Sequence, residues 1–256
     1  MHNSLNSIGR LKKLFPLQRA TPLSVRLAAH PEERAALIAL RTHTYRQVGK
    51  HQKEELMTDQ FDADALLVGV WQGEEPIASA RVIWRKPDDE WEHDRFVEWS
   101  DIFPPRENCV EISRFCVTEK ARSWAAIRAL CTGILEALCR TGKAEFVACC
   151  TDEFVPLYRQ FFGAQMLGQP FIHSDLGPKP HYMFRCDYRS CSVCRGITFI
   201  PWLVLWPSGT RSFMRQYPHM FPDVTNAQRA LLLAGAIVEP FAAYVFGVWR
   251  QGRKKR

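Results

Sequence analysis

Two kinds of strand connection occur in this chain, and a sheet that holds both must be mixed. Ala65–Trp71 and Pro76–Trp84 are β-rich runs joined by the turn sequence Gln72-Gly73-Glu74-Glu75, the pattern of an antiparallel hairpin. Cys109–Val117, Arg122–Thr141 and Glu145–Cys150 then read as strand, helix, strand. The helix carries Ala, Leu and Ile on one stripe and stops at Gly142. Upstream, Ser24–Ala28 reads as a short strand. A helix starts at Pro31-Glu32-Glu33, where proline suits the first position and carboxylates suit the positive end. Leu37, Leu40 and Tyr45 continue it at helical spacing. Residues 86–94 form an acidic loop. Phe154–Phe162 is a short helix closed by Gly163, and His181–Asp187 is a last strand. This order predicts an α/β (α+β) fold with one mixed, mainly antiparallel sheet flanked by helices.

Charge divides the chain. Residues 1–184 sum to −1, whereas residues 185–256 sum to +8 of the total +7. The basic part also holds two apolar runs, Ile197–Trp206 and Leu231–Trp249, the second interrupted by Glu239-Pro240 and followed by Arg253-Lys254-Lys255-Arg256. A spanning helix needs about 20 apolar residues, and a carboxylate at its centre is costly in lipid. The preferred expectation is therefore a segment lying at a membrane surface. The alternative is helices packed onto the body. Residues 1–20 read as a basic arm, 21–188 as the main domain, and 189–256 as a basic, apolar helical extension.

A hydrophobic content of 46% excludes wholesale disorder, and no short repeat supports a collagen or coiled-coil reading. Nine cysteines, an odd number, go with free thiols in a reducing compartment. The first 20 residues carry Arg10, Lys12, Lys13 and Arg19 without a long apolar run, so no secretory leader is expected. Localisation is read as cytoplasmic, or peripheral on the inner membrane. Cys186, Cys191 and Cys194, with His173 and His181 upstream, give only a weak zinc signal, and no metal is assigned.

One constellation carries chemistry. Leu40-Arg41-x-x-x-Tyr45 is followed by Asp59-Gln-Phe61-Asp62, by Ala80-Arg81-Val82, and by Val110-Glu111-Ile112-Ser113-Arg114-Phe115-Cys116-Val117. Over roughly residues 25–185 this resembles the acyl-homoserine-lactone (autoinducer) synthases and the N-acyl amino acid synthases, branches of the GNAT acyltransferase superfamily. Val155–Gly163 resembles the helix that closes the donor site in such enzymes. The resemblance implies a GNAT-like fold and an N-acyltransferase that uses an acyl-carrier-protein or acyl-CoA thioester, with no tightly bound cofactor. It implies acceptor-binding roles for Arg41, Tyr45, Asp59, Asp62 and Arg81. It implies donor-binding roles for Phe115, Cys116, Val117, Arg122 and Tyr158. Arg41, Asp59, Asp62 and Arg81 would equally suit a structural ion-pair network.

Two departures sharpen the expectation. Autoinducer synthases place a Trp ten residues after the first Arg; here it is His51, which favours a different amine acceptor. The Gly-rich pyrophosphate loop of the superfamily is reduced to Arg122-Ser-Trp-Ala-Ala-Ile127. Without those glycines a pyrophosphate cannot approach the helix N-terminus closely, which points to an acyl carrier protein as donor partner. Such a partner is acidic and would meet Lys120, Arg122 and Arg128. The other partners expected are a small-molecule amine and a membrane surface along residues 197–256, without nucleic acid.

Glu111 is the candidate base, directly or through one water, and Arg114 its catalytic companion. Backbone N–H groups around Phe115–Val117 are candidates to hold the oxyanion. Glu111 and Arg114 are three apart, so on a regular strand they would face opposite sides. Serving one site requires a β-bulge, and the resemblance to the GNAT fold implies one in this strand, near residues 113–116. Alternatives remain open: an ornithine-lipid-type N-acyltransferase, a lactone-signal synthase, or a non-enzymatic membrane-surface binder.

Overall fold

The computed structural model describes residues 22–254, with side chains described up to residue 243 and at 245. The basic arm 1–20 and Lys255-Arg256 lie outside the described residues. The strands are β1 (Leu23–Leu27), β2 (Leu66–Gln72), β3 (Glu75–Ile83), β4 (Cys109–Val117), β5 (Glu145–Thr151), β6 (Gln165–Ile172) and β7 (Pro180–Asp187). They form one sheet in the order β1-β2-β3-β4-β5-β7-β6. Every neighbouring pair is antiparallel except β4–β5. The mixed, mainly antiparallel sheet expected from the sequence is the one observed.

Helix α1 (Pro31–Gln47) starts at Pro31 with Glu32 and Glu33 in its first turn. It packs on one face of the sheet, where Leu37 meets Leu67 and Trp71. Helix α2 (Trp124–Thr141) covers the opposite face. Ser123 caps it by accepting from the Ala126 N–H, and Gly142 ends it at φ 71°. Alternation along β2 separates the two contacts: Leu67 and Trp71 face α1, whereas Val68 faces α2. Gly133 of α2 sits so close to the sheet that a Cβ there would lie 2.4 Å from Val68 and 2.6 Å from Val25. Helix α3 (Val155–Phe162) is short and stops at Gly163, φ 58°.

Strand β6 was not foreseen. It is an edge strand with Pro170 inside it, and its register with β7 shifts between Leu167 and Phe171. A proline lacks the ladder donor and is tolerated only on such an edge.

The extension folds as α4 (Tyr188–Ser192), α5 (Phe199–Leu205), α6 (Pro207–Gln216) and α7 (Asn226–Lys254). The preferred expectation placed residues 197–206 at a membrane surface. Here Trp202, Leu203, Val204, Leu205 and Trp206 are buried in the same core as α2 and the sheet. Each such side chain contributes about 1.5–3 kcal/mol by leaving water, and here the core of the body is what receives it. Among the described residues no helix is long and apolar enough to cross a membrane. Glu239, the one charge in the second apolar run, is fully buried. It accepts from the Ser208 N–H at 2.7 Å and pairs with Arg128 of α2 at 3.3 Å. The charge that made lipid unattractive thus ties α7 to α6 and α2. The outer side of α7, with Ile237 and Phe241, is exposed.

Candidate active site

The middle of the sheet creates the site. β4 and β5 pair only through residues 109–111 and 145–147. Beyond Glu111 the two strands have no ladder contact, so they splay and leave main-chain edges open between them. β4 is also bulged. Arg81 pairs with Ser113 and Ser79 with Cys116, so Arg114 and Phe115 together face one residue, Ala80. Arg114 adopts φ 54°, rare for a residue with a side chain. The bulge falls where two residues of one site, three apart in sequence, require it.

Behind the splay lies a buried ionic network. Arg41 of α1 forks onto Asp62, with contacts of 2.9 and 2.7 Å. Asp59 and Asp62 cap the same short turn: Asp59 accepts from the Phe61 N–H and Asp62 from the Asp59 N–H. Arg81 of β3 reaches Asp59 at 2.5 Å, Asp62 at 3.0 Å, Glu92 at 2.8 Å and the Ser113 hydroxyl at 3.0 Å. Arg114 reaches Glu92 at 2.9 Å and Asp59 at 3.1 Å. Burial alone would raise the Asp62 pKa, but Arg41 and Arg81 outweigh it and hold it low. Burial would likewise raise Glu92, and Arg114 and Arg81 drive it well below the usual carboxylate range. Asp62 and Glu92 therefore stay ionised beside Arg81 and Arg114.

In front of the network is a cavity of about 280 Å³ between β4, β5, α2 and α3. Its walls are largely apolar. Lys50, Arg114, His93, His173 and His181 add polar groups. Glu111 is fully buried behind His93. Its carboxylate accepts from the Glu92 N–H at 2.9 Å and the His93 N–H at 3.1 Å, and it contacts His93 Nδ1 directly. Nδ1 against a carboxylate is the nitrogen that carries the proton. That assignment leaves the lone pair on Nε2; neither ring nitrogen makes a hydrogen bond of regular geometry among the described residues. Burial lowers the His93 pKa to about 4, opposed only in part by Glu92. Burial also lowers His173 to about 3, with the positive neighbours adding to it, and lowers His181. The three imidazoles are neutral at pH 7. His173 lies 5.8 Å from both the His93 and the His181 ring, centroid to centroid.

Not every residue expected from the sequence meets the cavity. Arg114, Tyr45, Phe115 and Tyr158 line it. Tyr45 is a neutral phenol, its pKa pushed up by burial. Arg41, Asp59, Asp62 and Arg81 stand behind the wall as the ionic network. Cys116 is buried against β3, and Arg122 is exposed before α2; neither lines the cavity, nor does Val117. Glu92 and His93 were missed, because residues 86–94 read as a polar loop. Trp91, fully buried with Phe103, Cys109, Val147 and Met183, is the anchor that turns that loop inward. A Trp beside Glu-His within an acidic stretch was the available signal.

Among the described residues, Glu92, His93 and Glu111 offer ligand atoms within 4.8 Å of one another. Their charges are already met by Arg81, Arg114 and two backbone N–H groups, so the cluster is read as a proton-handling group. Cys186 and Cys191 instead point at the Phe162 carbonyl, with sulfurs 3.8 Å apart. His173 and His181 belong to the cavity.

Residues 36–187 match the sequence family described as N-acyl amino acid synthase FeeM. The structure of FeeM from uncultured soil microbes is 15% identical, with a TM-score of 0.53 over 66% of this chain and 95% of that one. The acyl-homoserine-lactone synthase LasI is 12% identical, with a TM-score of 0.51 over 66% and 91%. At these identities the two structures speak for the shared fold. No curated protein sequence matches the chain.

Proposed function

We propose, from the premise that the chain belongs to the FeeM family of N-acyl amino acid synthases and is an N-acyltransferase, that it moves a fatty acyl group from an acyl-carrier-protein thioester to the amine of an amino acid. The observation that carries this reading is the cavity itself. It is an apolar space opened by the splay of β4 from β5, with the neutral imidazole of His93 among its polar groups.

The amine attacks the thioester carbonyl carbon in its free-base form. As the N–C bond forms, the nitrogen becomes cationic and acidic, and its proton passes to His93 Nε2, directly or through one water. Glu111 holds the Nδ1 proton and stabilises the imidazolium. In this reading the base predicted from the sequence acts through His93. Open main-chain N–H groups of β4 near Phe115 hold the oxyanion. When the intermediate collapses, the C–S bond breaks and the imidazolium proton goes to the departing thiolate. The products are a thiol and an N-acyl amide.

An amino-acid acceptor is supported by Arg114. Its Nη2 is engaged by Asp59 and Glu92, whereas Nη1 is buried without a hydrogen-bond partner. Nη1, with Lys50 on the same wall, suits a carboxylate. A carrier-protein donor is supported at the start of α2. There the Ser123 hydroxyl takes the Ala126 N–H that a pyrophosphate would need. Arg128 is turned toward Glu239, so docking falls to exposed Lys120 and Arg122.

The test is direct. Purified protein is incubated with matched acyl-carrier-protein and acyl-CoA thioesters and a panel of amino acids, and products are read by mass spectrometry. N-acyl amino acid formed faster from the carrier thioester is expected. A lactone product, or transfer only to non-carboxylate amines, would overturn the reading.

A further inference from the structure

The cavity extends beyond the reacting groups. On α2 it is lined by Trp124, Ile127, Cys131, Ile134 and Leu138, one helical stripe. From Trp124 to Leu138 that stripe runs about 21 Å at 1.5 Å per residue. Half of a bilayer's hydrocarbon core is roughly 15 Å thick, so the stripe has the reach of a long alkyl chain. The wall is completed by Leu205 and Trp206, at the end of α5 and the start of α6. Both lie outside residues 36–187, the part that carries the family match.

Trp206 is fixed in place. Its indole N–H donates to the Phe161 carbonyl at 2.8 Å, and its ring meets Phe162 edge-on at 5.9 Å. Phe161 and Phe162 are themselves cavity residues on α3. The extension is held against α2 by Glu239, which joins Arg128 to the first turn of α6. The Trp206 side chain is thus a rigid part of the cavity wall and makes none of the contacts described for the His93 cluster.

We infer that the C-terminal extension selects the acyl chain: Leu205 and Trp206 set the length and bulk of the alkyl group that the cavity accepts. This rests on the fatty-acyl reading above. An apolar wall discriminates by the methylenes it admits or excludes, at roughly tenfold or more for each. Moving this wall should change preference while leaving proton transfer at His93 intact.

The experiment uses the full chain with saturated acyl thioesters of graded length. Leu205→Ala and Trp206→Phe enlarge the cavity, and Leu205→Trp fills it. The expected result is a shift of the kcat/KM optimum to longer chains in the first two and to shorter chains in the third, by roughly tenfold per methylene. Melting temperature is followed in parallel with free saturated fatty acids of the same lengths. The chain length giving the largest upward shift should move in the same directions. An unchanged length profile in variants that melt like the parent overturns the inference. If no thioester supports transfer, the acyltransferase reading of the donor fails, while the fatty-acid melting series still decides whether Leu205 and Trp206 set chain length.

Discussion

Glu111→Gln isolates what the buried carboxylate does. Glu111 accepts from two main-chain N–H groups, at 2.9 and 3.1 Å, and lies directly against His93 Nδ1, a third donor in the tautomer assigned above. The amide that replaces it has one oxygen and an NH₂. At least one donor then faces another donor, in a place with no exposure to water. Leaving one buried donor unmet costs about 1–3 kcal/mol of stability. The chemical consequence is larger. If the NH₂ faces the imidazole, the ring proton moves to Nε2 and the lone pair leaves the cavity. General-base assistance is worth roughly 10²–10⁴-fold, or about 3–5 kcal/mol of barrier at 1.36 kcal/mol per factor of ten. The assay is kcat for N-acyl product at saturating acyl thioester, with a thermal melt to confirm that the variant is folded. His93→Gln should lose a comparable amount. The double variant should be no worse than either single one, because two residues acting as a unit are not additive. A folded Glu111→Gln protein that keeps its rate would refute the relay. So would losses that add in the double variant.

The remaining predictions concern stability. His93 has its pKa lowered to about 4 from 6.5, so the unfolded chain binds a proton in acid that the native state refuses. This group's contribution should be constant above about pH 6.5 and fall as pH drops from there toward 4, by about 3 kcal/mol; His93→Asn should make that slope shallower in urea melts at stepped pH, the remainder coming from His173 and His181, which burial also lowers. Arg81→Met leaves Asp59, Asp62 and Glu92 without their shared partner in a buried site, and a loss of about 3–5 kcal/mol is expected in chemical denaturation. Gly133→Ala puts a methyl 2.4 Å from Val68; it should cost about 1–3 kcal/mol in the same assay. A chain ended after residue 196 loses Trp202, Leu205 and Trp206 from the core and should fail to give a cooperative melt.

Much of the fold was legible because its signals are local. A turn at Gly73, proline and two glutamates at the start of α1, Ser123 and Gly142 around α2, and the uninterrupted run of β4 each depend on residues a few positions apart. The family resemblance was legible for the same reason, since it rests on short motifs in a fixed order. The bulge in β4 was expected from that resemblance together with the spacing of Glu111 and Arg114, because on a period-two strand residues three apart face opposite sides.

What the chain could not announce was which polar groups face the cavity. Glu111 was named as the base, yet the group that meets the space is His93, from a loop whose composition says only that it is polar. Its position follows from Trp91 packing against β4, β5, β6 and β7 residues, a contact among segments tens of positions apart. The apolar tail shows the same limit. Composition measures how much surface must leave water, and lipid or a protein core can serve equally. Only the open face of α2, and a buried Arg128–Glu239 pair that joins residues 111 apart, direct that surface inward. Burial and electrostatic pairing are properties of neighbours in space, so local sequence determined the elements and the tertiary structure decided the chemistry each one faces.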